Sequence, residues 1–176
     1  MNRLRQERLV QRIKQGDEQA FAEMYEATRK GVFSYIYSIL HNFAVSEEIM
    51  QDTYITVKLK IGTYKDNSNF SAWMLQIAKN LSYNYLRKSK RETVSDDAVL
   101  HAGKSYSMAE EGKPVISAMK KVLNEDELQI VLLHVVAGYK HREIAAMLDK
   151  PLGTVTWTYN NAIKKSREYF EKEEDN

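Results

Sequence analysis

Apolar side chains recur at helical spacing along nearly the whole chain, and this pattern restricts the fold more than any other feature of the sequence. Proline and glycine, which interrupt helices, occur only two and seven times in 176 residues. Apolar positions three and four residues apart form one face of an α-helix, whereas a half-buried strand needs strict alternation. No segment requires a strand. The sequence therefore predicts an all-α protein.

Capping residues divide the helical pattern into separate elements. A first helix is predicted over residues 3–14, and Asp17 can cap a longer second helix. Ser46 can cap a third helix and Asn69 a fourth, while Asn124 begins the pattern of a capping box. Each of these side chains can accept a hydrogen bond from the free N–H groups of a first helical turn, so the predicted helix starts have a physical basis.

The helical periodicity lapses between residues 92 and 114, where Ser, Asp, Gly, Lys and Glu predominate. A polar composition of this kind is typical of a tether. We therefore predict two small helical domains, residues 1–91 and 115–176, joined by a flexible linker over residues 92–114.

Two short helical patterns near the end of the chain are separated by Asp149-Lys150-Pro151. Ile144 and Leu148 stand at helical spacing before this break, and Val155 and Tyr159 do so after it. A sharp turn between two short helices leaves the second helix free to enter a DNA major groove. The segment is therefore predicted to be a helix-turn-helix with a nucleic-acid partner.

Composition excludes several other classes of protein. No apolar run approaches the roughly twenty residues of a membrane span, and the Arg- and Gln-studded start lacks the apolar stretch of a signal peptide. The chain has no cysteine, its four histidines lack metal-binding spacing, and no catalytic Ser-His-Asp or Cys-His pattern occurs. We therefore expect a cytoplasmic binding protein without membrane insertion, catalytic activity, cofactor or metal.

Positive charge is concentrated locally, although the net charge is only +2. Basic side chains gather at Lys79, Arg87, Lys88, Lys90 and Arg91. A solvated helix end accounts for such residues, because cations stabilise the carboxyl end of a helix. Clustered basic side chains also neutralise phosphates. Of these two interpretations we favour contact with a nucleic-acid backbone.

Four blocks of sequence follow one another along the chain. They are GDEQAFAEMY at residues 16–25, EEIMQDTY at 47–54, FSAWMLQIAKN at 70–80, and the pair EIA and GTV at 143–145 and 153–155. Together they resemble the extracytoplasmic-function sigma factors, the two-domain initiation subunits of bacterial RNA polymerase. The resemblance covers almost the whole chain. It implies a protein that binds core polymerase and directs it to promoters by reading the minus-ten and minus-thirty-five elements.

The resemblance assigns the second and third blocks to polymerase and to the minus-ten element. It implies polymerase binding by Glu48, Ile49, Met50, Gln51, Asp52 and Tyr54. It implies minus-ten DNA binding by Asn67, Ser68, Asn69, Lys79, Asn80, Arg87 and Lys88. The family's asparagine at the position of Asn80 lines a pocket for a flipped base, although chemistry alone explains Asn80 equally well as a solvated residue. Phe70 and Trp73 stand among aliphatic residues at helical spacing and are predicted to be core residues.

The second helix of the helix-turn-helix is expected to read the minus-thirty-five element. Its contacts, with those of the preceding helix, are predicted at Lys140, Arg142, Thr154, Thr156, Trp157, Asn160, Asn161 and Lys164. Asparagine can pair with adenine through two hydrogen bonds, and threonine can touch a thymine methyl group. We therefore predict an upstream element that contains A·T pairs. A neutral helix surface is the alternative.

Five positions depart from the family pattern, and two of them are Thr156 and Trp157, where many relatives carry arginine or lysine and serine. Lys58 stands where family members usually have tryptophan, which predicts altered packing around it. Lys140 replaces a capping serine, so we expect its ammonium group to contact the DNA backbone. Asp149 replaces a glycine of the turn, where a positive φ is expected, and aspartate tolerates that conformation better than branched residues do.

The predicted partners are core RNA polymerase, promoter DNA in duplex and single-stranded form, and, by family habit, an anti-sigma factor. A stand-alone helix-turn-helix regulator is the main alternative, and an all-α interaction or scaffold protein is a second. A stand-alone regulator has no use for the helix that carries Gln51 and Asp52 or for the segment around Asn80. A scaffold does not explain the basic cluster together with the turn.

Overall fold

The structure is a computed structural model that describes residues 3–95 and 113–174. Every regular element in these ranges is helical, which confirms the predicted all-α fold. The α-helices are α1 (Arg3–Lys14), α2 (Glu18–Leu40), α3 (Phe43–Lys60), α4 (Phe70–Ser95), α5 (Lys113–Val122), α6 (Glu125–Val131), α7 (His141–Leu148) and α8 (Leu152–Glu174). A 3₁₀ turn (Ile61–Thr63) follows α3, and a π-helical segment (Leu132–Val136) continues α6. None of the described helices combines the length and hydropathy of a membrane span.

Side-chain caps mark several helix starts where the sequence predicts them. Asp17 and Asn69 each accept a hydrogen bond from the backbone N–H three residues later, at 3.0 and 3.1 Å. The Asn124 side chain accepts a bond from the N–H of Glu127, and the Glu127 carboxylate accepts one from the N–H of Asn124. This pair is a complete capping box. Such bonds satisfy the N–H groups that every helix start leaves free.

The third helix begins earlier than the sequence predicts. Asn42, and not Ser46, caps α3, because the Asn42 side chain accepts a bond from the N–H of Val45 at 3.2 Å. Ser46 is buried inside the helix, where its hydroxyl donates to the Asn42 carbonyl at 2.6 Å. The Phe43 ring packs on Phe33 with 4.9 Å between ring centres. This tertiary contact stabilises an additional turn that the capping pattern around Ser46 does not indicate.

The two halves of the described chain share one hydrophobic core. We call residues 3–95 the first half and residues 113–174 the second half. The first half contributes Val10, Met24, Ile36, Val57 and Phe70, among others, and the second half contributes Ile130, Leu133, Ile144 and Val155. Helix α2 packs against α6 and the π-helical segment, and α4 packs against α7. The fold therefore joins the two predicted domains in one packed body.

The predicted linker lies partly outside the described residues. Residues 92–95 of the predicted linker belong to α4, and α5 begins at Lys113, two residues before the predicted start of the second domain. Residues 96–112 lie outside the described residues. The predicted boundaries at residues 91 and 115 thus fall inside helices.

Candidate protein and nucleic-acid interfaces

The outer side of α3 carries a stripe of exposed side chains. Glu48, Gln51 and Asp52 face solvent, as a polymerase-binding surface requires. Ile55 and Leu59 continue the stripe and expose 57% and 81% of their surface. Large apolar side chains beside polar ones are a common mark of a protein-docking surface. We call these five residues the α3 stripe. The sequence prediction missed Ile55 and Leu59, although both follow Gln51 at intervals of four residues.

Two residues that were predicted to bind polymerase lie inside the fold instead. Ile49 and Tyr54 are buried, and the Tyr54 hydroxyl lies 2.8 Å from that of Thr28 in α2. Burial raises the pKa of Tyr54. Met50 is half-buried beside a cleft between α2 and α3. The prediction treated a continuous run as one face, but a helix turns every 3.6 residues. Ile49 and Tyr54 therefore support the α3 stripe from behind.

Lys58, where the family usually has tryptophan, is exposed at the end of α3. Its ammonium group lies 2.7 Å from the Glu18 carboxylate and 5.4 Å from the centre of the Phe21 ring. Both partners belong to α2. An exposed ion pair contributes only about 0–1 kcal/mol, so the contact with the ring is as important as the charge pair. This is how the chain accommodates a lysine at the position.

The polar loop before α4 is anchored by the buried side chain of Tyr64. Its hydroxyl lies 2.8 Å from a Glu7 carboxylate oxygen and 3.0 Å from the Ser68 carbonyl. Asn67 has φ 61°, a left-handed conformation that asparagine tolerates. Asn67, Ser68 and Asn69 are all exposed, as a DNA-reading loop requires.

The side of α4 next to this loop presents the other residues predicted for minus-ten DNA. Asn80 is exposed, and its side-chain oxygen accepts a hydrogen bond from Gln76 at 2.9 Å. The Lys79 ammonium group lies 6.0 Å from the centre of the Tyr83 ring. Every side chain from residue 83 to residue 88 is exposed, including Arg87 and Lys88. This end of α4 therefore carries its positive charge into solvent, where phosphates are accessible.

The aromatic residues at the start of α4 are core residues, as the sequence predicts. Phe70 is buried, and Trp73 packs against the shared core. The two ring centres are 5.8 Å apart, and each lies within 6 Å of the Tyr64 ring. Aromatic packing thus fixes the loop and the start of α4 as one unit.

Helices α7 and α8 form the predicted helix-turn-helix. Asp149 ends α7 with φ 53° and ψ 45°, so the expected positive φ is present. Its backbone N–H donates to the Ala145 carbonyl. Lys140 precedes α7 without a side-chain cap, and the Glu143 carboxylate accepts a bond from the Lys140 N–H at 2.9 Å. An ammonium group cannot accept a hydrogen bond from a helix N–H, so the Lys140 side chain does not cap α7. The side chains of Lys140 and Arg142 are both exposed.

One side of α8 is exposed over its first turns. It presents Thr154, Trp157, Asn160 and Lys164. Trp157 exposes 68% of its surface, whereas Val155 and Ala162 on the opposite side are fully buried. Intervals of three and four residues place the exposed side chains on one face, which is the face that a DNA groove would receive.

Comparison with known proteins gives the family. The family models for Sigma-70 region 2 and for Sigma-70, region 4 match residues 24–92 and 115–165. The ECF RNA polymerase sigma factor SigW of Bacillus subtilis is 30% identical over 90 residues, which are 51% of this chain and 48% of SigW. The ECF RNA polymerase sigma-E factor of Haemophilus influenzae is 24% identical over 178 residues, covering 93% of this chain and 92% of that protein. This chain belongs to the extracytoplasmic-function sigma factors.

A solved relative has the same fold. CnrH, in complex with the cytosolic domain of CnrY, superposes with a TM-score of 0.66 at 17% identity, covering 94% of this chain and 97% of CnrH.

Members of the sigma family are initiation factors and not enzymes. The match to region 2 also argues against a stand-alone helix-turn-helix regulator, which has no such region. The match to SigW spans about half of that protein.

Two of the residues predicted for minus-thirty-five DNA point elsewhere in this sigma factor. Asn161 is half-buried, and its amide donates to the Glu127 carboxylate at 2.9 Å. Thr156 is half-buried, with its hydroxyl 3.4 Å from Nδ1 of His141. The buried Glu127 carboxylate requires hydrogen-bond donors, and the Asn161 amide supplies one of these hydrogen bonds. The Asn161 amide is therefore directed at Glu127 and not at the DNA-facing side of α8.

A cluster of rings that the sequence prediction missed supports the helix-turn-helix of this sigma factor. The ring centres of His134, His141 and Tyr159 are each 4.7 Å from the other two. His134 Nδ1 also lies 2.7 Å from the Tyr139 carbonyl. Burial, with the nearby His134, lowers the pKa of His141. The cluster joins the π-helical segment to α7 and α8 and so fixes the segment that carries Tyr139.

Proposed function

We propose that this chain is a transcription initiation factor that binds core RNA polymerase through the α3 stripe and acts in the cytoplasm. The observation that carries the proposal is the exposure of Ile55 and Leu59 on a helix within the match to Sigma-70 region 2. A single exposed leucine is common. Two apolar side chains on one polar stripe form a contact surface, because covering them removes apolar area from water at about 25 cal/mol per Å².

The first half is proposed to read the minus-ten element as a single strand. Asn67, Ser68, Asn69 and Asn80 supply hydrogen-bond groups for an extruded base. Lys79, Arg87 and Lys88 supply positive charge for the backbone beside that base. The support for this assignment is the shared exposure of these side chains on one loop and on the helix that follows it.

The second half is proposed to read the minus-thirty-five element as a duplex. Its reading face consists of Thr154, Trp157, Asn160 and Lys164, with Lys140 and Arg142 beside the turn. Asn160 suits adenine, and Thr154 suits a thymine methyl group. Selection of promoters from a randomised upstream element should return sites that contain A·T pairs. Sites built only of G·C pairs would contradict this assignment.

The experiment for the whole proposal is run-off transcription with core polymerase and a promoter library. The wild-type chain should bind core polymerase and give transcripts. Leu59→Asp should weaken core binding and reduce the transcripts by at least about tenfold, as loss of a docking residue does. Leu4→Asp is the matched control, because Leu4 on α1 is 74% exposed and lies outside the α3 stripe.

The same assay separates the alternatives. DNA retention without core binding would favour a stand-alone regulator, and core binding without any transcript would favour a scaffold. Equal transcription by Leu59→Asp and the wild type would contradict the role of the α3 stripe. An anti-sigma partner remains a prediction from the family resemblance.

A further inference from the structure

We propose that Trp157 reads the 5-methyl group of pyrimidine bases in the major groove of the minus-thirty-five element. This role rests on the function proposed above for α8 and deepens it, since it names the chemical group that the helix selects. Thymine carries such a methyl group in the major groove. The base 5-methylcytosine carries it as well, whereas cytosine and uracil do not. Promoter binding should therefore follow the methyl group and not only the hydrogen-bonding edge of the base.

Trp157 lies at the centre of the exposed face of α8. It exposes 68% of its surface, and Thr154 and Asn160, three residues before and after it, are exposed as well. A helix has 3.6 residues per turn, so these two residues lie on either side of Trp157. Trp157 also stands in the first two turns of α8, and the amino-terminal residues of a recognition helix are the ones that contact base edges.

The space beside the indole ring is open toward the start of α8. Side chains in a helix lean toward its amino end, so the residue one turn before Trp157 is its neighbour on that side. This residue is Gly153, where a Cβ atom would meet nothing within 4 Å. A base can therefore approach the ring from this side without displacing another side chain.

The centre of the exposed face suits an apolar group of the DNA. Thr154, Trp157 and Asn160 carry no charge, and Lys164 lies two turns beyond Trp157. Guanine is most often read by arginine or lysine, which this centre does not offer. An indole has one N–H donor and no acceptor, so it cannot pair with the amino group of cytosine. Contact with a methyl group is the interaction that the ring provides.

The helix behind Trp157 is held in place by buried contacts. Val155 on the opposite side is fully buried. The Tyr159 ring lies 4.7 Å from the rings of both His134 and His141, measured between centres. A reading side chain is most precise on a rigid element. Tryptophan also supplies a large contact area with only two side-chain torsions to fix, so little entropy is lost on binding.

The first experiment removes the methyl group from the DNA. Promoters selected in the transcription assay are prepared with single thymines of the upstream element replaced by uracil, which lacks only this group. The wild-type holoenzyme should bind about fourfold more weakly when the thymine that contacts Trp157 is replaced, because a buried methyl group contributes about as much as one CH₂. Uracil placed outside both promoter elements is the control and should leave binding unchanged.

The second experiment changes the protein. Trp157→Ala should bind the thymine and uracil promoters equally, because the ring that distinguishes them is absent. Thr154→Ser is the matched control, since it removes a methyl group from the same face and keeps the hydroxyl. It should retain the fourfold difference between the two promoters. Because Trp157 is exposed, circular dichroism of Trp157→Ala should show intact helices.

A third experiment adds the methyl group to a different base. The critical thymine is replaced by cytosine or by 5-methylcytosine, with guanine in the opposite strand. The wild-type holoenzyme should bind the methylated promoter about fourfold more tightly than the unmethylated one. Trp157→Ala should bind the two equally.

Equal binding of every thymine and uracil pair by the wild type overturns the proposal. A uracil effect that remains in Trp157→Ala overturns it too, and its loss in Thr154→Ser would assign the methyl contact to Thr154. Transcription by the wild-type holoenzyme together with either result leaves the proposed function intact. Absence of transcripts from the whole library overturns the proposed function and the role of Trp157 with it.

Discussion

Glu127 shows how one residue can hold two helices together through its charge. Its side chain is almost completely buried between α6 and α8. It accepts bonds from Lys165 at 2.7 Å, from Asn161 at 2.9 Å and from the Asn124 N–H at 3.0 Å. Burial acts to raise the pKa of the carboxyl, but these donors and the Lys165 charge outweigh it, so the pKa of Glu127 lies below its ordinary value.

A lowered pKa makes the contribution of Glu127 depend on pH. The contribution is present above the unfolded-state pKa of about 4.3 and is lost as pH falls through the folded-state value. Glu127→Gln should lower the free energy of unfolding by about 1.5–3 kcal/mol at pH 7, and the difference from wild type should shrink below about pH 4. Urea unfolding between pH 3 and pH 7 measures this, with the exposed Glu168→Gln as control. A difference that does not change with pH would contradict the account.

Asp149 carries the other prediction at the scale of a single residue. Its φ of 53° lies in the left-handed region, where a Cβ atom approaches the following carbonyl. Asp149→Val should lower the free energy of unfolding by about 1–2 kcal/mol, whereas Asp149→Gly should not lower it. Thermal unfolding followed by circular dichroism compares the two variants. Equal stability of the valine and glycine variants would show that the turn does not require this conformation.

At the scale of an element, the start of α3 has two candidate caps, Asn42 in the structure and Ser46 in the sequence pattern. Asn42→Ala should lower the free energy of unfolding by about 1 kcal/mol, because the Val45 N–H loses its partner. Ser46→Ala should have a smaller effect, since the Asn42 carbonyl keeps its helical bond from the Ser46 N–H at 2.9 Å. Urea unfolding of both variants provides the measurement. A larger loss of stability in Ser46→Ala than in Asn42→Ala would indicate that Ser46 caps the helix, as the sequence predicts.

Helix α3 also shows why an interface is hard to delimit from sequence. The block Glu47 to Tyr54 identifies the helix, yet Ile49 and Tyr54 are buried and the exposed stripe continues to Leu59. Which face of an amphipathic helix is covered depends on the neighbouring helices, and here both α2 and α4 pack on α3. In α8, likewise, packing on α6 directs Asn161 to Glu127 instead of to solvent.

At the scale of the whole molecule, the shared core predicts cooperative unfolding. The chain has two tryptophans, and Trp157→Phe leaves only Trp73, which packs in the first half. Its fluorescence then reports the first half, while circular dichroism reports all helices. The two signals should follow one transition in urea, because the halves share a core. Separate transitions would mean that the halves unfold independently, as two domains on a flexible linker do.

The sequence by itself determined the helices, the caps at Asp17, Asn69 and Asn124, and the left-handed turn at Asp149. These features depend on hydrogen bonds and backbone conformation within a few residues, so local pattern is sufficient to predict them. The order of the family blocks indicated polymerase and promoter binding only through resemblance. Tertiary structure alone decided which faces remain exposed and that Tyr139 packs on Gly31. Such contacts join residues far apart in the chain, and their energies come from burial that no local pattern records.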